Sequence, residues 1–282
     1  MGAQAVTRIA TLDHRAVIAV TGEDRVSFLQ GLVSQDVAKA EPGRALWSAL
    51  LTPQGKWLAE FFIIADGERL LLDVEADQRD DLIRRLSRFR LRAKASVAAE
   101  DYVVQAGWGG PAPVVTDGLV AEDARLPEAG FRILSRTGLP PDATLAEWDA
   151  HRIALGLPDG ARDLEREKTV LLEAGFDELG GISWTKGCYM GQELTARTRY
   201  RGLLKRRLVP VVIEGPAPAP GTIILTAEGR DVGTMRSSEG GLGLAVLRLD
   251  VLGGGVALTA GEARLIPRVP GWMTLPEPAA TP

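Results

Sequence analysis

Apolar residues fall into two alternating rhythms along much of this chain. Residues 15–20 (RAVIAV) are a short, β-branched run closed by Gly22, the pattern of a buried strand. Asp24 then stands where a helix cap is wanted. Val26, Phe28, Leu29, Leu32 and Val33 recur at helical spacing, which predicts a helix to about Asp36. ALWSALL and KWLAEFFIIA flank the tight-turn sequence Thr52-Pro53-Gln54-Gly55, and a second turn at Asp66-Gly67 leads into LLLDV, so the three runs read as a β-meander. Leu82, Ile83, Leu86 and Phe89 share one face of a basic amphipathic helix over about 77–92.

Beyond it, YVVQA and FRILS are short strands among Gly/Pro breaks over 96–142. A helix over 143–155, carrying Leu145, Trp148, Arg152 and Leu155, stops at Gly156-Leu157-Pro158. Asp163, Glu165 and Glu167 alternate in a charged stretch and read as solvated, as does His14, while His151 reads as a packed histidine. From about Lys205 the texture changes. LVPVVI, TIILTA, LGLAVLRL, VALTA and EARLIP are separated by Gly or Pro, the pattern of a small all-β barrel or sandwich. Pro216 to Pro220 is a stiff connection within it, and the closing LPEPAATP reads as a frayed tail. The fold class is therefore α+β: a body over residues 1–204 and a β-rich domain over 205–282.

Charge and cysteine usage narrow the chemistry. A net charge of −4 exerts no overall pull on nucleic acid or anionic lipid, so any such contact has to come from a local basic patch. The start lacks the layout of a secretion signal and no apolar run spans a bilayer, which predicts a cytoplasmic protein with no membrane partner. With Cys188 as its one cysteine and two histidines besides, the chain has no internal disulfide and too few ligands for structural zinc. Iron–sulfur clusters usually take four thiolates. A chain with one can serve them only as a helper, or by sharing Cys188 with a partner.

The chemistry concentrates in Ile182 to Arg197, which packs a thiol, an ammonium, a phenol, an amide and a carboxylate around Gly187 and Gly191. Gln192 and Glu193 can start a helix. Cys188 would then lie near backbone N–H groups and beside Lys186, both of which favour a thiolate. On the residues alone, an inert, buried Cys188 with glycines that merely turn the chain stands beside that reading.

The run Lys186-Gly187-Cys188-Tyr189-Met190-Gly191-Gln192-Glu193 matches the K-G-C-Y-x-G-Q-E signature at every fixed position, and the chain resembles the YgfZ-type folate-binding family, relatives of the glycine-cleavage T protein. VTGEDRVSFLQGLVSQDV, LTPQGKWLAEFFI and EAGFDELGGISWTKGCYMGQELTART extend the likeness over most of residues 10–270, least over 105–140. The resemblance implies a T-protein-like body of two interleaved subdomains, ring-arranged around a channel, plus a C-terminal β-barrel. It implies tetrahydrofolate or a one-carbon derivative as cofactor. The implied role is support of iron–sulfur cluster assembly or repair in other enzymes, tRNA-modifying ones included, with those clients or the assembly machinery as partners. It marks Cys188 as the functional thiol with Lys186, and Tyr189, Gln192, Glu193 and Arg197 as cofactor-binding candidates of the same motif.

Trp57 and Trp184 can stack on a pterin, although plain core is the readier reading of each. The T-protein meander resembles G-G-x-x-D-D, whereas Ala59 stands here at the first acidic position and Glu60 alone offers a carboxylate. Without an acid there, aminomethyl transfer loses a group typically worth about 10²–10⁴-fold in rate. A folate-dependent aminomethyl- or demethylating transferase using Glu60 is the first alternative. The second is a tRNA-binding module. Residues 197–207 hold six positive side chains and no acid, which suits the glutamate tail of folate or RNA phosphates with Tyr200 to stack.

Overall fold

The structure is a computed structural model and describes residues 6–276. Most of the closing tail, residues 277–282, lies outside the described residues. The chain packs into two compact units that interleave along the sequence. One takes the residues to Trp148 with Leu179–Gln192, the other Asp149–Glu178 with the residues from Glu193 onward. Residues 149–178 and 193–204, grouped with the body in the sequence reading, thus belong by contact to the unit that holds the barrel.

The first unit is built on nine strands. In chain order these are β1 (Arg8–Thr11), β2 (Arg15–Thr21), β3 (Arg44–Leu51), β4 (Trp57–Asp66), β5 (Arg69–Glu75), β6 (Ser96–Glu100), β7 (Val103–Trp108), β8 (Gly118–Asp123) and β9 (Phe131–Ser135). They form one sheet in the order β1-β7-β9-β8-β3-β4-β5-β2-β6. Neighbours are antiparallel except β3 and β8, which join two antiparallel halves through a short parallel pairing at Arg44 and Ala45. Helices α1 (Arg25–Gln30) and α2 (Arg79–Phe89) cover one face of the β3-β4-β5-β2 half. There Phe28, Leu29, Leu82 and Leu86 pack with Phe61 and Ile63 in one apolar core.

Helix α1 is shorter than its apolar spacing suggested. It ends at Gln30, and Val33 instead forms an isolated antiparallel bridge with Leu50. Ser34 Oγ accepts from Ala49 N–H at 2.9 Å, so residues 31–35 lie along β3 rather than continue the helix. Asp24 precedes α1 without capping it; its carboxylate accepts instead from Lys94 N–H at 2.7 Å.

Because strand side chains alternate, the opposite face of β4 carries Glu60 and Phe62. That face is polar and buried. Arg15 donates to Glu60 at 2.6 Å and to Asp73 at 2.8 Å, and Arg132 donates to Asp73 at 2.7 Å. Trp47 Nε1–H donates to Glu60, and Arg125 pairs with Asp123 at 2.7 Å. The Arg132, Arg125 and Arg15 guanidinium carbons lie 4.7, 4.8 and 5.8 Å from the Phe62 ring centre. Three arginines and three carboxylates therefore neutralise one another around one aromatic ring. Burial alone would raise the Asp73 carboxyl; Arg132 and Arg15 outweigh it and hold it below the usual carboxylate range.

The second unit contains the C-terminal part of α3 (Leu145–Leu155), then α4 (Gln192–Tyr200) and six strands. These are β10 (Arg206–Glu214), β11 (Ile223–Thr226), β12 (Asp231–Glu239), β13 (Leu242–Arg248), β14 (Leu258–Ala260) and β15 (Ala263–Pro267). They close into a barrel in the order β10-β13-β12-β11-β14-β15, filled by Val209, Val211, Val232, Met235 and Leu247. Asp163, expected to be solvated, is buried: it accepts from Arg152 at 2.7 Å and from Ser237 Oγ at 2.5 Å. Arg152 also donates to Asp149 at 2.6 Å, so a buried arginine ties α3 to the loop after it and to β12.

Removing one partner from a buried charge network leaves the others uncompensated. Asp73→Asn is expected to destabilise the protein by about 3 to 5 kcal/mol in urea titrations. A depressed carboxyl contributes stability above its unfolded pKa of about 3.9 and loses it as pH falls below that. The wild type should therefore lose more stability than Asp73→Asn as the pH falls from about 5 to 2.

Candidate functional site

The signature loop is fastened to the segment that α1 leaves behind. Ser183 N–H donates to Ser34 O at 3.0 Å, Ser34 Oγ to Gly181 O at 2.6 Å, and Met190 N–H to Gly31 O at 3.0 Å. Lys186 Nζ donates to Val33 O at 2.7 Å and Gln35 O at 2.8 Å, and lies 5.3 Å from the Tyr189 ring centre. Burial pulls the Lys186 ammonium down to about 8, with Asp36 acting in the other direction.

The two loop glycines differ in what they do. Gly191 has φ +81°, and a Cβ there would sit 2.4 Å from Thr52 O and 2.9 Å from Leu51 Cβ, so the loop lies directly on the β3–β4 turn. Gly187 has φ +96° with nothing within 4 Å, so it supplies backbone conformation alone. Gln192 then starts α4. Its side-chain oxygen accepts from Tyr189 N–H at 3.1 Å and closes the loop on itself.

Between these fixed points Cys188 is free and exposed. The expectation that this cysteine is buried is overturned. The Lys186 ammonium is engaged by two carbonyls and the Tyr189 ring. Lys186 holds the loop.

The remaining candidates separate. Lys186, Cys188, Tyr189 and Gln192 share one loop. Glu193, 83 % exposed at its side chain, pairs with Arg197 one turn along α4. Such solvated pairs contribute about 0.3–0.5 kcal/mol, and neither residue is a buried reader of a pterin edge. Trp57 is fully buried and offers no stacking face, though its Nε1–H is buried without an acceptor. Glu60 belongs to the ion network described above, held by Arg15 and Trp47. Trp184 is half-buried. The loop's supports at Gly31, Val33, Ser34 and Gln35 were not singled out from sequence. Their one signal was Ser34 and Gln35 interrupting an apolar helical pattern.

The basic stretch is weaker than its count suggests. Arg197 pairs with Glu193, Arg199 with Asp177 at 3.2 Å, and buried Arg207 with Glu178 at 2.8 Å. Arg201, Lys205 and Arg206 are left exposed without an ion pair among the described residues.

Comparison with known proteins follows the same division. Residues 205–275, which include all six barrel strands, match the family model described as "CAF17, C-terminal beta-barrel domain". The mouse protein named "Iron-sulfur cluster assembly factor IBA57, mitochondrial" is 31% identical over 93% of this chain and 84% of its own length. The human protein of that name gives the same figures. The chain belongs to the IBA57 family. This family membership corrects the cytoplasmic expectation, since the mouse and human members are mitochondrial by name. The aminomethyltransferase T of the glycine cleavage system from Bartonella henselae superposes with a TM-score of 0.77, covering 94% of this chain and 85% of that one at 18% identity. The T-protein-like α+β fold with its C-terminal barrel is thereby shown.

Against the needs of a reduced pterin, two meander residues of this IBA57-family chain differ. The Trp57 indole N–H, just past the turn under Gly191, is a buried donor with no acceptor among the described residues. Glu60 does not fit, because its carboxylate is already neutralised.

The two glycines give a graded test of how tightly the loop is seated. Gly187→Ala is expected to cost about 1–2 kcal/mol for its left-handed backbone alone. Gly191→Ala, which adds a clash with Thr52 O, should cost more and should accelerate amide exchange at Met190. Equal costs in denaturant titrations would mean the loop does not rest on the turn.

Proposed function

We propose that this IBA57-family chain supports iron–sulfur cluster assembly in other proteins by lending Cys188 as one ligand to a cluster whose other ligands come from a partner. The observation that carries this is the exposure of the chain's one thiol on a loop anchored from behind. It is supported by relatives named as iron–sulfur cluster assembly factors. Clusters usually want four thiolates. Among the described residues, no group of three or more His, Cys, Asp or Glu side chains is arranged to hold a metal ion. The division of labour follows. Cys188 gives up its proton to solvent as sulfur bonds iron, the partner completes the coordination, and the anchored loop keeps the sulfur outward. Lys186 is a positioning residue here. The YgfZ-type signature points to tRNA-modifying enzymes among the clients.

The test is rescue of a cluster-dependent enzyme in a strain lacking this protein. Cys188→Ser is expected to restore less than about a tenth of the wild-type activity, since a neutral hydroxyl replaces a thiolate ligand. Full rescue would remove the sulfur from the mechanism.

Tetrahydrofolate binding is a second reading, favoured by the T-protein fold, the YgfZ-type signature and the orphaned Trp57 N–H. In it the cofactor binds without aminomethyl transfer, because Ala59 and an engaged Glu60 leave no free acid at the two positions where the T-protein meander carries its aspartates. A calorimetric titration of tetrahydrofolate should show binding that Trp57→Phe weakens about three- to tenfold, the scale of one buried hydrogen bond. No heat of binding to the wild type would end this reading and leave the thiol reading standing.

A further inference from the structure

The end of α2 and the turn leading to β6 carry residues 88–94, RFRLRAK. Helix α2 buries Leu82 and Leu86, but at its C-terminal end Phe89 is 45% exposed and the following Leu91 is 89% exposed. Leu91 also has φ +42°, the left-handed conformation that helix ends normally assign to glycine or asparagine. A leucine there costs backbone strain as well as apolar area left in water. Among the described residues nothing buries this side chain.

The turn is nonetheless firmly built. Ala93 N–H donates to Arg90 O at 2.7 Å, Arg90 reaches Ala95 O at 3.4 Å, and Asp24 holds Lys94 through backbone and side chain at 3.2 and 2.7 Å. The acids nearby are already engaged: Asp24 by Lys94 N–H, Glu23 by the Lys94 ammonium at 2.9 Å, Asp81 by Arg85. Arg88 and Arg92, on either side of the apolar pair, are exposed and make no ion pair among the described residues. Arginines at a helix C-terminus compensate its dipole. That accounts for Arg88 and Arg90, not for Phe89 and Leu91.

We infer that this tip, Phe89 and Leu91 framed by Arg88, Arg90 and Arg92, is a peripheral docking element for an anionic lipid surface. Two apolar side chains on a convex turn can enter the headgroup boundary while arginine stems lie along it and their heads meet phosphates. Nucleic acid would use the arginines and leave Leu91 without a role. A standard protein interface takes about 20–30 residues a side, far more than this short tip offers. No helix among the described residues is long and apolar enough to cross a membrane, so the contact is one of attachment to a surface. This inference is independent of the role of Cys188.

Flotation of the full chain with phosphatidylcholine vesicles, with and without phosphatidylglycerol, tests it. Binding is expected only with phosphatidylglycerol. It should fall about tenfold in Phe89→Ser/Leu91→Gly and be abolished by Arg88→Glu/Arg92→Glu. Leu91→Gly alone should raise the melting temperature by about 2 °C, because it relieves the strained backbone, while weakening vesicle binding. A purely structural leucine would not separate the two readouts in that way. Absence of flotation with phosphatidylglycerol, binding indifferent to these variants, or displacement from vesicles by tRNA or an acidic peptide with equal sensitivity to them, would overturn the assignment.

Discussion

One ammonium group, taken largely out of water and set against the carbonyls of Val33 and Gln35, fixes where the signature loop lies. Burying a cation is unfavourable, which is why Lys186 is pulled down to about 8. Two charge-assisted hydrogen bonds and the face of Tyr189 offset that cost only if the carbonyls stay in place. They stay because α1 stops at Gln30 and the next residues are pinned along β3 through Ser34. The far side of the loop rests on the β3–β4 turn, against which Gly191 allows no side chain. Cys188 is thus held from both sides and covered from neither.

The same sheet explains why a fold shared with an aminomethyltransferase need not carry that chemistry. The carboxylate that sequence offers in the meander, Glu60, faces inward and is tied to Arg15 and Trp47. It neutralises a buried arginine, and with Asp73, Arg132, Arg125 and Asp123 it lets the two halves of a nine-stranded sheet meet across a polar layer. A carboxylate with both oxygens engaged in the core is not free to meet a substrate. Structure has claimed the residue.

Most strands and the barrel were legible because their signals are local, whereas β1, β6 and β8 were not. β2, the meander, β9 and the Gly-punctuated C-terminal runs each announce themselves within ten residues or so through period-two patterning and turn chemistry. The second half of α1 was misread because Leu32 and Val33 satisfy a helical period and a sheet contact equally well; Ser34, bonded to Ala49 and Gly181, decides between them from far along the chain. Asp163 looked solvated for the same reason. Its partners, Arg152 and Ser237, lie outside any window over which a charge pattern is read. At the site, the eight-residue signature marked the loop, but which way each side chain points depended on contacts with residues 31–35 that no motif contains.

The claim that matters most is that the sulfur stands in solvent while its loop stays folded. Its most direct measure is the rate at which iodoacetamide alkylates Cys188 in the native protein, compared with the rate in denaturant at the same pH, alongside hydrogen exchange of the loop amides. The structure predicts comparable alkylation rates with a protected Met190 amide. Alkylation slowed by orders of magnitude in the native state, or an unprotected loop, would contradict it.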